Sequence, residues 1–220
     1  MPKRPTTIDQ LPQQVPLFPL SGALLLPNTM RPLNIFEDRY IRLIDTILGS
    51  DRLVGMIQPV QTDVESPKGN VPVRDVGCLG RLVQFEENSH ARYFVVLEGL
   101  TRFRLIDEID TGAPYRTGII SAKGFESDFD PGHGENSVDR DGFLSMMRAY
   151  AEFAQLDIDW EEIETTGTAD LVNMACMMSP YGPAEKQSLL EATSLQVRAE
   201  TLMAMAELEM ARSQPGRTLQ

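Results

Sequence analysis

Histidine and cysteine are the side chains best suited to proton transfer, nucleophilic attack and transition-metal binding near neutral pH. This sequence has two of each, His90, His133, Cys78 and Cys176. A structural zinc site takes four such ligands at close spacing, and these four are scattered along the chain, so no metal site is expected. Both histidines fall in predicted turns and read as solvated residues.

Carboxylates offer two further candidates. Asp128-x-Asp130 begins like a calcium loop and Asp139 falls at its last ligand position, but Gly132 replaces a side-chain ligand and His133 stands where the turn demands glycine. The stretch reads instead as a charged, solvated linker. Asp157, Asp159, Glu161, Glu162 and Glu164 surround Trp160. Nothing distinguishes one of these acids from another as a proton donor, and a capped, solvated helix start accounts for them.

Phosphate-binding and nucleophile motifs are missing. None of Lys3, Lys68, Lys123 and Lys186 follows glycine and precedes Ser or Thr, as a nucleotide-cradling loop requires. Gly132 and Gly134 start a dinucleotide fingerprint that Ser137 breaks, and no Gly-x-Ser-x-Gly elbow occurs. No catalytic residue and no cofactor are expected.

Composition points to binding rather than chemistry. Lys plus Arg is 20 and Asp plus Glu is 32, giving a net charge of −12 over 220 residues. Such an acidic surface repels phosphate backbones and anionic membranes at long range. Two widely separated cysteines make no disulfide framework, and no apolar run is long enough to span a bilayer, so a soluble cytoplasmic protein is expected. Lys3 and Arg4 precede the apolar stretch from Leu17 to Leu26, but Pro12, Pro16 and Pro19 interrupt it as a leader. Eight of the 11 methionines lie between Met146 and Met210. Their unbranched, polarizable side chains suit an adaptable apolar groove, or else a helical core.

The elements that must carry these residues divide the chain. Residues 1–123 read as a β subdomain of short strands, with Val76 to Glu87 and Ala91 to Glu98 as a hairpin. A turn at Glu98-Gly-Leu-Thr leads into a strand at Arg102 to Ile106, with Gly99 free to take positive φ. One helix interrupts the strands: Asn34 is its predicted cap, and Phe36, Tyr40, Leu43, Ile44, Ile47 and Leu48 share a face. Residues 124–141 form the acidic linker or loop. Residues 142–220 turn helical, with patterns at Phe143 to Ala154, Asp170 to Met178, Pro183 to Glu191 and Ser194 to Arg212.

Val15-Pro-Leu-Phe-Pro-Leu, Leu26-Pro-Asn and Arg31-Pro-Leu-Asn-Ile-Phe-Glu-Asp-Arg-Tyr resemble the opening of the Lon protease N-terminal (substrate-binding) domain family. Val76-Gly-Cys-Leu-Gly-Arg-Leu-Val-Gln and Val96-Leu-Glu-Gly-Leu-Thr-Arg-Phe-Arg-Leu resemble its later blocks, in the same order. The resemblance implies an α+β fold, a PUA-like antiparallel β-barrel with one packed helix followed by a C-terminal helical bundle. It also implies a role in recognising protein substrates. Lacking a phosphate loop and any stretch like a Ser-Lys protease domain, the chain resembles stand-alone members and is expected not to be an enzyme.

The matched residues themselves read as scaffold, with Glu37 or Glu98 pairing with Arg39 or Arg102. The expected function is a non-catalytic module for unfolded polypeptide, through exposed apolar segments, or for a partner protein, in a groove between barrel and bundle. Phe36, Tyr40, Met146, Met147 and Tyr150 are its candidate lining. The alternative is an RNA-binding PUA-like protein, using Arg81, Arg92, Arg102, Arg104 and Arg116 as a local basic face against the unfavourable net charge. A homo-oligomer stays open.

Overall fold

The structure, a computed structural model, describes residues 3–60, 71–88 and 92–213. His90 lies outside the described residues. The strands are β1 (Gln14–Pro19), β2 (Met30–Ile35), β3 (Leu53–Ile57), β4 (Val76–Asn88), β5 (Arg92–Ile109) and β6 (Arg116–Ser121), with helix α1 (Asp38–Leu48) between β2 and β3. They form one sheet in the order β2-β5-β4-β3-β1-β6, and β6 pairs again with β5, so five strands make a closed ring of pairings with β2 attached to its outside edge. Every pairing is antiparallel except β1 with β3. That parallel pair departs from the all-antiparallel expectation. A tight hairpin cannot join parallel strands, and here the chain crosses from β1 to β3 through β2 and α1.

Two local expectations change for backbone reasons. Helix α1 starts at Asp38 with Glu37 as its cap, because Asn34 is held in β2 opposite Phe94 and the chain stays extended through Ile35. No turn occurs at Glu98 to Thr101: β5 runs straight through, and the ladder adjusts by an irregularity between Leu79 and Gly80 of β4. Gly99 is required for closeness rather than for positive φ. A Cβ there would lie 2.0 Å from the Leu26 carbonyl oxygen. The loop comes this close because Asn28 N donates to Gly99 O at 2.8 Å and Gly99 N donates to Thr29 O at 2.9 Å.

The helical half contains α2 (Arg140–Ala154), α3 (Trp160–Thr165), α4 (Thr168–Met178), α5 (Pro183–Glu191) and α6 (Leu195–Ser213). Asp139 caps α2 by accepting from Gly142 N, and Asp159 caps α3 by accepting from Glu161 N and Glu162 N. Helix α6 packs against α2, α4 and α5. One apolar cluster runs from Phe18, Leu25 and Ile44 into Phe143, Leu171 and Leu202, so both halves share a core. A second cluster of Leu17, Leu79, Leu100 and Phe103 fills the strand ring.

The 124–141 segment is not a solvated spacer throughout. It carries short 3-10 turns at Glu126–Phe129 and Glu135–Ser137. Glu126, Asp130 and Asp139 are exposed, but the Asp128 carboxylate is buried against Arg102, with both side chains 7% exposed. The calcium-loop geometry is thereby lost: Asp128 is committed to Arg102, and Asp139 caps a helix.

Candidate functional site: an apolar groove among the helices

The methionine-rich helices fold around an open groove of about 340 Å³. Met146, Met147 and Tyr150 reach it from α2, Met174 and Met178 from α4, and Leu202 and Ala206 from α6. Leu156 and Tyr181 close it from the loops after α2 and α4. Two helix endings put those loop residues in place. Gln155 takes the left-handed conformation at φ 54°, which lets Leu156 N donate to Ala151 O at 2.9 Å and turns Leu156 over the groove. Helix α4 stops where Ser179 Oγ donates to Cys176 O at 2.7 Å and Pro180 follows.

The groove is apolar inside and acidic at its edge. Met146 is buried, whereas Met174 is 44% exposed, Leu156 52% and Met178 80%. Three large apolar side chains left to water around one cleft are a feature that folding alone does not require. Asp157, Asp159 and Glu162 line the rim. Tyr150 Oη donates to Glu209 at 3.1 Å. Burial, followed by the Glu209 charge, pushes the Tyr181 phenol well above its ordinary range, and burial with the Glu209 hydrogen bond raises Tyr150. Both phenols keep their protons, and Tyr150 already gives its own to Glu209, so the polar atoms of this wall are held by the protein itself.

The profile of the ATP-dependent protease La (LON) substrate-binding domain matches residues 14–207, which is most of the sequence. This chain belongs to the LON substrate-binding domain family. It is 25% identical over 199 residues to the Lon protease of Desulfosudis oleivorans, covering 87% of this chain and 23% of that protease. The LON chain thus spans about a quarter of that relative's length. Its fold is similar to the crystal structure of the Lon N-terminal domain protein from Xanthomonas campestris, with TM-score 0.57 and 22% identity over 87% of this chain and 97% of that one. It is also similar to the N-terminal domain of Mycobacterium avium complex Lon protease, with TM-score 0.64 and 14% identity over 88% and 98% of the two chains.

The LON domain does not bring all five expected lining residues together. Met146, Met147 and Tyr150 share the groove. Tyr40 is buried at 6% exposure, meets Phe18 edge-on at 4.4 Å and donates to Pro19 O at 3.2 Å. It borders a separate polar cleft with Arg39, Glu108 and Arg116. Phe36 is 65% exposed and lines neither cavity. The apolar groove lies among the helices rather than between barrel and bundle, and polar side chains occupy part of that junction. Gln58 Nε2 donates to Gln187 Oε1 at 3.0 Å, Gln187 Nε2 to Val76 O at 3.0 Å, and Lys186 Nζ to Gly22 O at 3.0 Å. Leu156, Met174, Met178 and Tyr181 are lining residues that sequence reasoning missed; the density of methionine was a signal for Met174 and Met178, and nothing local marked Leu156 or Tyr181.

The expected scaffold pairs are partly rearranged. Glu37 does pair with Arg39, at 2.7 Å and in solvent, but Glu98 takes Arg4 at 2.9 Å and Arg81 at 3.9 Å. Arg102 goes to Asp128, and Arg116 to Glu108. Three of the five arginines of the expected basic face are thus neutralised by carboxylates. Both cysteines are buried, and burial raises both thiols, Cys176 to about 12. Among the described residues no group of three or more His, Cys, Asp and Glu could hold a metal, and no helix is long and apolar enough to cross a membrane.

Proposed function

We propose that this LON domain is a non-catalytic binding module that takes exposed apolar segments of polypeptide into the groove between α2, α4 and α6. The observation that carries this reading is the exposure of Met174, Leu156 and Met178 around one cleft. Removing apolar surface from water supplies about 25 cal/mol per Å², and unbranched methionines can repack around different side chains. The groove of about 340 Å³ has room for a few large side chains, not a folded domain.

The acidic rim of Asp157, Asp159 and Glu162 selects further. It favours apolar segments with basic flanks and repels acidic ones. Affinity is expected to be weak, in the range of about 1 μM to 1 mM, because a sequence-tolerant surface cannot optimise polar contacts for one ligand.

Titration of the chain with labelled unfolded peptides, followed by anisotropy and by the fluorescence of Trp160, tests the reading. Trp160 is the single tryptophan and sits at the start of α3. Saturable binding of an apolar peptide with basic flanks, lost when its apolar residues become serine, supports it. Equal binding of both peptides, or of neither at about 1 mM, refutes it.

A further inference from the structure

A second cleft, of about 220 Å³, lies where the 124–141 segment meets the start of α6. It is polar, and Arg198 lines it together with Ser194, Gln196 and His133. Arg198 is only 5% exposed. Its Nε donates to Leu189 O at 2.9 Å and its Nη1 to Asn173 Oδ1 at 2.8 Å. Both acceptors are neutral, Nη2 has no acceptor among the described residues, and no described carboxylate pairs with this guanidinium.

The carboxylates that border the cleft do not supply the missing charge. Asp128 spends both oxygens on Arg102. Asp130 is 71% exposed and stands 3.5 Å from His133. Arg102, Arg198 and Asp128 therefore leave one surplus positive charge in the interior. Burial first, and the Arg102 charge second, push the Arg198 guanidinium down to about 10. A cation this deeply packed, with a donor left over beside an open cleft, is a favourable place for an anion to bind.

The start of α6 points the same way. Ser194 Oγ accepts from Val197 N at 3.1 Å, and Ser194 O accepts from Arg198 N at 3.0 Å. The amides of Leu195 and Gln196 stand in the first turn, where no intrahelical acceptor exists.

We propose that this cleft binds a small oxyanion, a phosphate or a carboxylate, with Arg198 Nη2 and the first-turn amides of α6 as its donors. The site is independent of the apolar groove and of the function assigned to it.

The experiment is a 15N NMR titration of the whole chain with inorganic phosphate at constant ionic strength set by chloride. Saturating shifts at the Leu195 and Gln196 amides and at the Arg198 side chain are expected. Thr193, exposed on the rim, supplies the control: Thr193→Glu places a carboxylate at the cleft and is expected to weaken phosphate binding about tenfold or more while the spectrum stays folded. Arg198→Lys should weaken binding as well, and if that variant fails to fold, Thr193→Glu still decides. An acetylated dipeptide with a free C-terminal carboxylate, compared with its amide, separates the sources. Saturation by phosphate alone assigns a free anion, and saturation by the acid but not the amide as well assigns a peptide terminus. Shifts that grow linearly with phosphate, or that persist unchanged in Thr193→Glu, overturn the proposal.

Discussion

Arg102 and Asp128, 26 positions apart, meet through two parallel hydrogen bonds, Nη2 to Oδ1 at 2.8 Å and Nε to Oδ2 at 3.0 Å. The same guanidinium donates through Nη1 to Ala192 O at 2.6 Å and to Leu190 O at 3.3 Å. One side chain on a barrel strand therefore holds the acidic segment and the end of α5 together. Planar, bidentate pairing is what arginine does and lysine cannot.

Removing only one partner should be costly. Asp128→Ala leaves Arg102 buried without its counter-charge and should lower stability by about 3–5 kcal/mol in urea unfolding. Arg102→Met combined with Asp128→Leu should lose less than the two single changes added together. A purely additive double-mutant cycle would show that the pair is not coupled.

Gly99 and Gly112 make a contrasting pair. Gly99→Ala must displace the Leu26 carbonyl, and a loss above about 4 kcal/mol or failure to fold is expected. Gly112 has positive φ, 72°, but open space around it. Gly112→Ala should cost only about 1 kcal/mol, the strain of the left-handed backbone. Similar melting temperatures for the two variants would contradict this account.

Groove function and stability should separate at Met174. The side chain is 44% exposed, so Met174→Asp should leave unfolding nearly unchanged, within about 0.5 kcal/mol. Binding of an apolar peptide should fall about tenfold or more, since a carboxylate then faces the apolar wall. Anisotropy on the folded variant measures this, and unchanged affinity would move the site elsewhere.

The thiols and the groove phenol give the alkaline limb of stability its sign. Cys176 rises from 9.0 to about 12, and Tyr181 rises from 10.0, in both cases chiefly by burial. A folded value above the unfolded one stabilises the neutral form, so that contribution is complete below about pH 9 and is lost as pH climbs through 12. Urea unfolding between pH 8 and 11 should show stability falling from about pH 9 upward. In the same way, a thiol reagent at pH 8 should leave Cys78 and Cys176 unmodified in the native protein and react with both after unfolding.

The elements with strong local signals were legible in the sequence. Pro183 at its first position marks α5, which spans Pro183–Glu191 as expected, and Asp159 caps α3 just ahead of its acidic first turn. The strand blocks around Val76 and Val96 were legible too, and with the opening motif they carried the family. The cap of α1 was misread because Asn34 satisfies a local rule that strand pairing with Phe94 overrides. Gly99 was misread as a turn because sequence does not reveal that another loop presses against it.

The site was half legible. Met146, Met147 and Tyr150 follow from helical periodicity on one element, while Leu156 and Tyr181 come from loops aimed by helix endings. Phe36 stands exposed outside both clefts, and Tyr40 is buried beside the polar one. Sequence by itself determined the acidic charge, the α+β order of elements and the family, because these depend on composition, period and motif. Only tertiary structure decided that Asp128 is buried against Arg102, that Gln58, Lys186 and Gln187 bridge barrel and bundle, and that the open apolar groove lies among the helices. Those outcomes depend on which distant side chains compete for the same buried space and the same hydrogen bonds, and no local window contains both competitors.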